Sequence, residues 1–134
     1  MTNLYEMLEN QHTAHKEKPL EPRLVIEFQK KLQQAGFPPV PPEFLDFLKV
    51  YDGVLMTDSA VLGIKPVKRE LDLFEFNQIR NTPGTRLILG YDEFCFLTYD
   101  SSEKMYFLTD RDFGDDLDDF EDFETALSSI IHDD

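Results

Sequence analysis

Carboxylates near the C-terminal end are the side chains of this 134-residue sequence best suited to chemistry. Residues 91–134 hold 15 acidic and 2 basic side chains, whereas residues 1–90 are nearly neutral, with 12 acidic and 11 basic. Nine carboxylates fall in the fifteen residues of the acidic segment, Asp110–Glu124. Because like charges at this density repel, the segment costs folding stability unless a cation or a basic partner relieves the repulsion. It is either a solvated loop or a surface built for a basic protein or a metal ion.

A calcium site is one chemistry that the acidic segment could supply. The oxygen donors at positions one, three, nine and twelve of an EF-hand-like loop would be Asp110, Asp112, Asp118 and Glu121. The pattern departs from that loop at the fifth position, where Gly114 offers no oxygen donor, and at the sixth, where Asp115 replaces the expected glycine. A strand rather than a helix is also predicted to precede it. Calcium binding therefore stays an alternative, and we expect no metal and no cofactor.

His12 and His15 are the other candidate metal ligands. Three residues apart, they would share one face of a helix and could supply two nitrogen ligands. They also continue the apolar stripe of Leu4 and Leu8, so packing or a subunit contact explains them equally well. The third histidine, His132, lies near the other end of the chain. We expect a monomer or a homodimer, with this helix face as the contact in a homodimer.

The sequence lacks the usual features of a catalytic site. Cys95, the single cysteine, lies between Phe94 and Phe96 in a predicted core strand, where a thiol keeps a high pKa and is poorly accessible. There is no G-x-S-x-G segment, and the six glycines are too scattered for a phosphate-binding loop. General acid–base catalysis needs a carboxyl kept protonated by apolar surroundings, whereas carboxyls in so hydrophilic a segment should be ionised. We expect no enzymatic activity and no catalytic residue.

Apolar periodicity predicts helices in the first part of the chain. A first helix over Asn3–Lys16 is followed by a second that begins near Pro22 and ends at Gly36. The third helix is short and ends at Asp52-Gly53. Its apolar face consists of Phe44, Phe47, Leu48 and Tyr51.

Extended segments dominate from residue 54 onward. Val61–Ile64 and Leu71–Phe76 are predicted as short extended segments, although the second could begin a helix. Three strands then come in quick succession: Arg86–Gly90, Phe94–Tyr99 and Met105–Thr109. Both alternating faces of the middle strand are largely apolar, so this strand should be covered on both sides.

A closing helix completes the predicted fold. It runs from about Phe120 to Ile131, and Asp119 or Asp122 can cap its N-terminus. N-terminal helices, a central antiparallel sheet and a closing C-terminal helix together make an α+β domain. No repeat or linker divides the chain, so we expect one domain over residues 1–134, with residues 1–18 as an added N-terminal helix.

Composition and charge exclude several classes of protein. The formal net charge of −14 opposes nonspecific attraction to nucleic acid or to an anionic membrane surface. No apolar run approaches the roughly 20 residues needed to span a bilayer, and residues 1–18 lack the apolar block of a secretory signal. A single cysteine suits a reducing compartment. The sequence predicts a soluble, acidic, cytoplasmic domain.

Several motifs follow one another in an order known from other proteins. They are the proline-opened helix Val40–Gly53, the triplet Leu62-Gly63-Ile64, the strand end Leu87–Asp92, the hairpin that follows it, and the closing helix Phe120–Ile131. Together they resemble the SUKH superfamily, the Smi/Knr-type domain of a yeast cell-wall regulator and of many bacterial immunity proteins. The resemblance covers about residues 20–132. Asp52 stands where the family most often has asparagine, and either residue tolerates the turn before Gly53.

The resemblance implies a binding role rather than catalysis. Bacterial SUKH members are typically intracellular antitoxins that neutralise polymorphic toxins, many of them nucleases, whereas eukaryotic members suggest a regulatory scaffold. A nuclease active site is basic because it must attract phosphates, so an acidic surface can occupy it and steer association. We expect a protein partner, a basic toxin domain, and no direct nucleic-acid or membrane partner. Charge, with Phe113 and Phe120 as aromatic anchors, predicts these partner-binding residues: Asp110, Asp112, Phe113, Asp115, Asp116, Asp118, Asp119, Phe120, Glu121 and Asp122.

Overall fold

A computed structural model of the chain describes residues 4–9, 15–66 and 71–131. The helices in these residues are α1 (Leu4–Glu9), α2 (Val25–Gln34), α3 (Pro42–Leu48), α4 (Leu73–Arg80) and α5 (Phe123–Ser128), and a 3₁₀ turn, Pro22–Leu24, leads into α2. The strands are β1 (His15–Lys16), β2 (Val54–Leu55), β3 (Ala60–Val61), β4 (Arg86–Tyr91), β5 (Cys95–Asp100), β6 (Met105–Asp110) and β7 (Asp116–Phe120). None of these helices has both the length and the apolar character needed to cross a bilayer. The predicted mixed α+β class is confirmed.

The strands form one antiparallel sheet in which each strand pairs with its neighbours in sequence, in the order β1 to β7. Strands β5 and β6 pair residue for residue, from Cys95 opposite Asp110 to Asp100 opposite Met105. From β4 to β7 the connections are short, because sequence neighbours are also spatial neighbours, whereas helices α2 and α3 lie between β1 and β2 and α4 lies between β3 and β4. The three strands predicted between residues 86 and 109 are confirmed, each to within one residue at its ends.

Helices cover both faces of the sheet around β5, as its apolar pattern predicts. On one face the ring of Phe76 in α4 meets that of Phe96 edge-on, with 5.7 Å between centroids. On the other face Phe123 of α5 lies 5.7 Å from Tyr106, which lies 5.0 Å from Tyr99. Phe96 and Tyr99 are three residues apart in one strand, so their side chains point to opposite faces. The consecutive buried residues of β5 are Phe96, Leu97 and Thr98.

Local signals at both ends define α2, and this predicted helix is confirmed. Pro22 opens the 3₁₀ turn before it, and Gly36 follows it with a φ of 87°. That left-handed conformation costs glycine little because it has no Cβ. Phe28 and Leu32 are the buried residues of the helix.

The prediction of one helix over Asn3–Lys16 is wrong at its C-terminal end. Helix α1 ends at Glu9, and His15–Lys16 forms β1, which pairs with β2. His12 and His132 lie outside the described residues. The Nε2 atom of His15 lies 2.6 Å from a carboxylate oxygen of Glu17. His15 is therefore in a strand, because it pairs with β2, a contact between distant parts of the chain. It does not share a helix face with His12, as the prediction of two metal ligands required.

The prediction of an extended Leu71–Phe76 segment is also wrong, and its alternative, the start of a helix, is confirmed. Asp72 caps α4: its carboxylate accepts from the Glu75 N–H at 2.8 Å, and the Glu75 carboxylate accepts from the Asp72 N–H at 3.3 Å. This reciprocal capping box is encoded locally by the D-x-x-E spacing. Of the predicted Val61–Ile64 segment, only Val61 lies in a strand.

Candidate functional site

The middle of the acidic segment is a strand, which the sequence analysis did not predict. Strand β7, Asp116–Phe120, pairs with β6 on one side, and no strand among the described residues pairs with its other side. Aspartate is depleted in strands and D-L-D-D-F lacks a clear apolar alternation, so propensity argues against this assignment. Pairing with β6 overrides that propensity. The carboxylates therefore stand on an ordered sheet edge rather than in a loop.

A tight turn joins β6 to β7 and presents an aromatic side chain. The carboxylate of Asp110 accepts from the N–H groups of Asp112 at 2.8 Å and Phe113 at 2.9 Å. The Asp110 N–H donates in turn to the carbonyl of Asp115 at 2.8 Å. The Phe113 side chain is 82% exposed. The turn thus holds one of the two predicted anchors in solvent, and Asp110 has a role within the fold.

Arg86 connects the edge strand to the interior of the sheet. Its guanidinium donates two hydrogen bonds to the carboxylate of Asp116, at 2.6 and 2.9 Å, and one to Asp100 at 3.2 Å. The guanidinium carbon also lies 4.3 Å from the ring centroid of Phe107 in β6. The side chain therefore reaches from β4 across the sheet to β7. The hydrogen bonds from Arg86 lower the pKa of Asp116.

Asp100 is the buried member of this ion-pair network. Burial of its carboxyl would raise the pKa, but the hydrogen bonds from Ser102, from the Glu103 N–H and from Arg86 outweigh burial and lower the pKa to about 2. A carboxyl whose pKa is lower in the folded state stabilises the fold above its unfolded pKa, and that stabilisation is lost as the pH falls through the folded value.

We expect Arg86→Gln to lower the free energy of unfolding at pH 7 by about 2 kcal/mol, because it leaves the buried Asp100 without its cation. The loss should shrink as the pH falls from about 4 towards 2, because Asp100 then becomes protonated in the folded state as well. Urea unfolding at several pH values measures this dependence. Arg23→Gln is the control, since the Arg23–Glu21 pair is exposed and its loss should leave stability nearly unchanged. An equal loss at pH 7 and near pH 2 would contradict the role given to Asp100.

Two other predicted partner-binding residues also have roles within the fold. Phe120 ends β7 and packs against the hydrophobic core, so helix α5 begins only at Phe123. Asp122 is the cap of α5, and its carboxylate accepts from the N–H and the hydroxyl of Thr125, at 2.9 and 2.7 Å. The hydrogen bonds from Thr125 lower the pKa of Asp122. Of the two predicted caps, Asp119 and Asp122, the second is therefore the one used.

The remaining predicted residues form an open surface along β7 and its flanking turns. These remaining residues, all of them exposed, are Asp112, Phe113, Asp115, Asp118, Asp119 and Glu121. Leu117, the second residue of β7, is 56% exposed and was missed by the sequence analysis. A single leucine between aspartates does not by itself predict a binding residue. Its position on the sheet edge shows that it is an apolar side chain accessible to a partner. We call Asp115, Leu117, Asp118 and Asp119, together with Phe113, the acidic edge.

The predicted calcium spacing does not converge on a binding site. No group of three or more His, Cys, Asp or Glu side chains within residues 4–9, 15–66 and 71–131 is placed to hold a metal ion. Asp118 lies in β7 opposite Leu108. The Asp110 carboxylate instead accepts a hydrogen bond from the Asp112 N–H within the turn. In an EF-hand loop the oxygen donors surround a single calcium ion. An extended strand instead places its donors several ångströms apart along its length.

Cys95 is half-buried at the start of β5. Burial, and after it the charges of Asp92 and Asp110, raises the pKa of its thiol. Since the thiolate is the nucleophilic form, these surroundings oppose nucleophilic reactivity.

A concave site lies on the sheet face that carries Phe96. This arginine cleft has a volume of about 420 Å³ and is lined by Arg80, Asn81, Thr82, Arg86, Ile88, Phe96, Thr98, Thr109, Asp110, Arg111, Asp112, Phe113 and Gly114. The guanidinium carbons of Arg80 and Arg111 lie 5.2 and 5.4 Å from the ring centroid of Phe96. Sequence reasoning missed this cleft. The one available signal was that Arg111 is one of only two basic residues in residues 91–134.

The chain matches no protein-family model, and no curated protein matches it significantly. What the chain can do is therefore inferred from two features of its surface. One is the acidic edge along β7, and the other is the arginine cleft on the sheet face.

Proposed function

We propose that this chain is a non-catalytic protein-binding module, an intracellular immunity protein that neutralises a toxin by binding it through the acidic edge. The observation that carries the proposal is that the middle of the acidic segment forms an edge strand of the sheet, with Leu117 and Phe113 exposed beside its carboxylates. The resemblance to the SUKH superfamily supports the same class of function.

The acidic edge combines the two properties that a protein interface needs. Carboxylates steer a basic partner and set the rate and specificity of association, whereas apolar anchors usually carry most of the affinity. Phe113 and Leu117 are large apolar side chains, 82% and 56% exposed, within a few residues of Asp115, Asp118 and Asp119. A toxin domain with a basic surface, such as a nuclease with its basic active site, would complement the negative charge of the edge and could bury Phe113 and Leu117.

The carboxylates on β7 also have a role that does not involve a partner, because β7 is an edge strand. An unpaired strand edge invites pairing with another copy of the same chain, and charges on the edge prevent this. Aspartates on β7 therefore repel a second copy while attracting a basic partner. The same charges serve both purposes.

The test is affinity capture from the source cells with the chain and with a triple variant, Asp115→Asn, Asp118→Asn and Asp119→Asn. Asp116 is left unchanged because it pairs with Arg86. We expect the unmodified chain to retain a basic toxin domain that is released as salt rises, and the variant to associate about tenfold more slowly. Co-expression of the chain should also rescue growth of cells that produce the captured toxin.

A matched control carries the same change of charge elsewhere: Glu27→Gln, Asp46→Asn and Asp58→Asn, all at exposed positions. This control should associate at the rate of the unmodified chain. The proposal fails if the triple variant captures the partner as fast as the control does. It also fails if the captured protein is not toxic, which would favour a regulatory scaffold.

A further inference from the structure

We propose that the arginine cleft binds a small molecule that carries one oxyanion, a carboxylate or a phosphate, on an aromatic ring. This site shares Phe113 with the acidic edge but none of the carboxylates of that edge, and the proposal does not depend on the partner proposed for it. The juxtaposition that carries it is Arg80 and Arg111 against the ring of Phe96, in a cleft that two threonines also line.

The two arginines converge although they come from distant parts of the chain. Arg80 is the last residue of α4, and Arg111 follows β6. Both guanidiniums stack on Phe96, and Arg111 also stacks on Tyr91 at 5.4 Å. The Arg111 guanidinium is fixed further by a 2.7 Å hydrogen bond to the carbonyl of Asp92. The rings and the backbone therefore hold both guanidinium groups at the wall of one cleft before any ligand binds.

Neither arginine forms an ion pair within the part of the chain that the structure describes. No carboxylate there lies within 4 Å of the guanidinium nitrogens of Arg80 or Arg111, whereas Arg86 pairs with two. The chain has 27 acidic and 13 basic side chains, so carboxylates are plentiful. Two arginines without an ion pair are therefore unexpected. An oxyanion bound in the cleft that both arginines line can accept charge-assisted hydrogen bonds from their N–H groups.

Two threonine hydroxyls also line the cleft. The hydroxyl oxygen of Thr98 lies 3.2 Å from the carbonyl of Phe107 and 3.1 Å from the hydroxyl oxygen of Thr109. Because the Thr98 hydroxyl donates to the Phe107 carbonyl, the Thr109 hydroxyl is the donor to Thr98. A ligand oxygen would take one of these protons only by replacing the bond to the carbonyl or the bond between the two threonines.

The rest of the lining limits what can bind. A volume of about 420 Å³ suits a small molecule rather than a bare ion. Phe113 lines the cleft with an exposed ring on which an aromatic group can stack. Asp110 and Asp112 also line it, and they repel ligands with many negative charges. Polyanions such as nucleic acid are therefore disfavoured, and a single oxyanion on a flat body fits best.

The experiment titrates the full chain with phenyl phosphate, benzoate, inorganic phosphate and benzylammonium, and follows binding by calorimetry and by ¹H–¹⁵N spectra of the arginine side chains. We expect saturable binding of phenyl phosphate or benzoate with shifts at Arg80 and Arg111, weaker binding of inorganic phosphate, and none of benzylammonium. The stronger of the two aryl ligands identifies whether the natural oxyanion is a phosphate or a carboxylate.

Variants assign the binding to the cleft. Arg80→Gln and Arg111→Gln should each weaken the better aryl ligand by about tenfold, since each removes charge-assisted hydrogen bonds. Phe113→Ser should weaken the aryl ligands but leave inorganic phosphate unchanged. Arg23→Gln, an arginine outside the cleft, is the matched control and should bind like the unmodified chain. Arg80 is exposed at the end of a helix, so its variant should fold, and a circular dichroism spectrum checks this.

The proposal is overturned if no aryl oxyanion binds saturably. It is equally overturned if Arg80→Gln and Arg111→Gln bind like Arg23→Gln, or if benzylammonium binds as tightly as benzoate. The triple variant of the acidic edge leaves the cleft intact and should bind the aryl ligands normally, so failure of either proposal can be told from failure of the other.

Discussion

Replacing Asn77 by alanine is expected to lower the free energy of unfolding by about 3 kcal/mol, because it leaves buried backbone groups without partners. The Asn77 side chain is fully buried. Its amide nitrogen donates to the carbonyls of Leu73 and Ile88 at 2.8 and 2.9 Å, and its oxygen accepts from the Ile88 N–H at 2.8 Å. The oxygen also accepts from the Asn81 side chain at 2.8 Å. One residue therefore joins α4 to β4.

Urea unfolding monitored by circular dichroism measures this effect. Gln78→Ala, at the next position of the same helix but on its exposed side, is the matched control and should change stability little. The helix propensity of alanine is gained in both variants, so the difference between them isolates the buried hydrogen bonds. A loss in Asn77→Ala no larger than that of the control would show that the link between α4 and β4 contributes nothing.

Replacing Gly63 by alanine should also destabilise the chain by about 3 kcal/mol, here through overpacking. A Cβ atom at Gly63 would lie 2.3 Å from the carbonyl oxygen of Asp52 and 2.7 Å from its carboxylate. That carboxylate cannot move aside without loss, because it accepts from the N–H groups of Ile64 at 2.7 Å and Lys65 at 3.2 Å. Two of the motifs behind the family resemblance, the Asp52-Gly53 pair and the Leu62-Gly63-Ile64 triplet, are thus in direct contact.

Thermal unfolding of Gly63→Ala and Gly84→Ala tests this packing. Gly84 has open space where its Cβ would lie, so its alanine variant should unfold at an unchanged or slightly higher temperature. Gly63→Ala should unfold at a clearly lower temperature, by several degrees or more. Equal melting temperatures for the two variants would mean that the backbone near Asp52 relaxes at no cost.

Elements with local signals could be predicted from the sequence. Pro22 and Gly36 mark the ends of the second helix, and the alternation of apolar residues marks the three strands between residues 86 and 110. The D-x-x-E capping box before α4 was an equally local signal. The apolar residues of that segment suggest a strand, but the capping box specifies the start of a helix.

The sites could not be predicted in the same way, because their geometry depends on contacts between distant residues. The acidic segment could be found from composition, but its conversion into an edge strand required pairing with β6. The aspartates of that segment looked equivalent in the sequence. Asp116 is nevertheless paired with Arg86, thirty residues away, and Asp122 caps a helix.

The sequence by itself therefore determined the α+β class, the central hairpins and the concentration of negative charge in one segment. Tertiary structure decided which carboxylates remain free, and it brought Arg80 and Arg111 to the same ring of Phe96. Helix caps, turns and strand alternation act between neighbours in the chain, so they can be read in order along it. Sheet pairing and cation–π stacking join residues far apart in sequence, and only the folded chain fixes which of them meet.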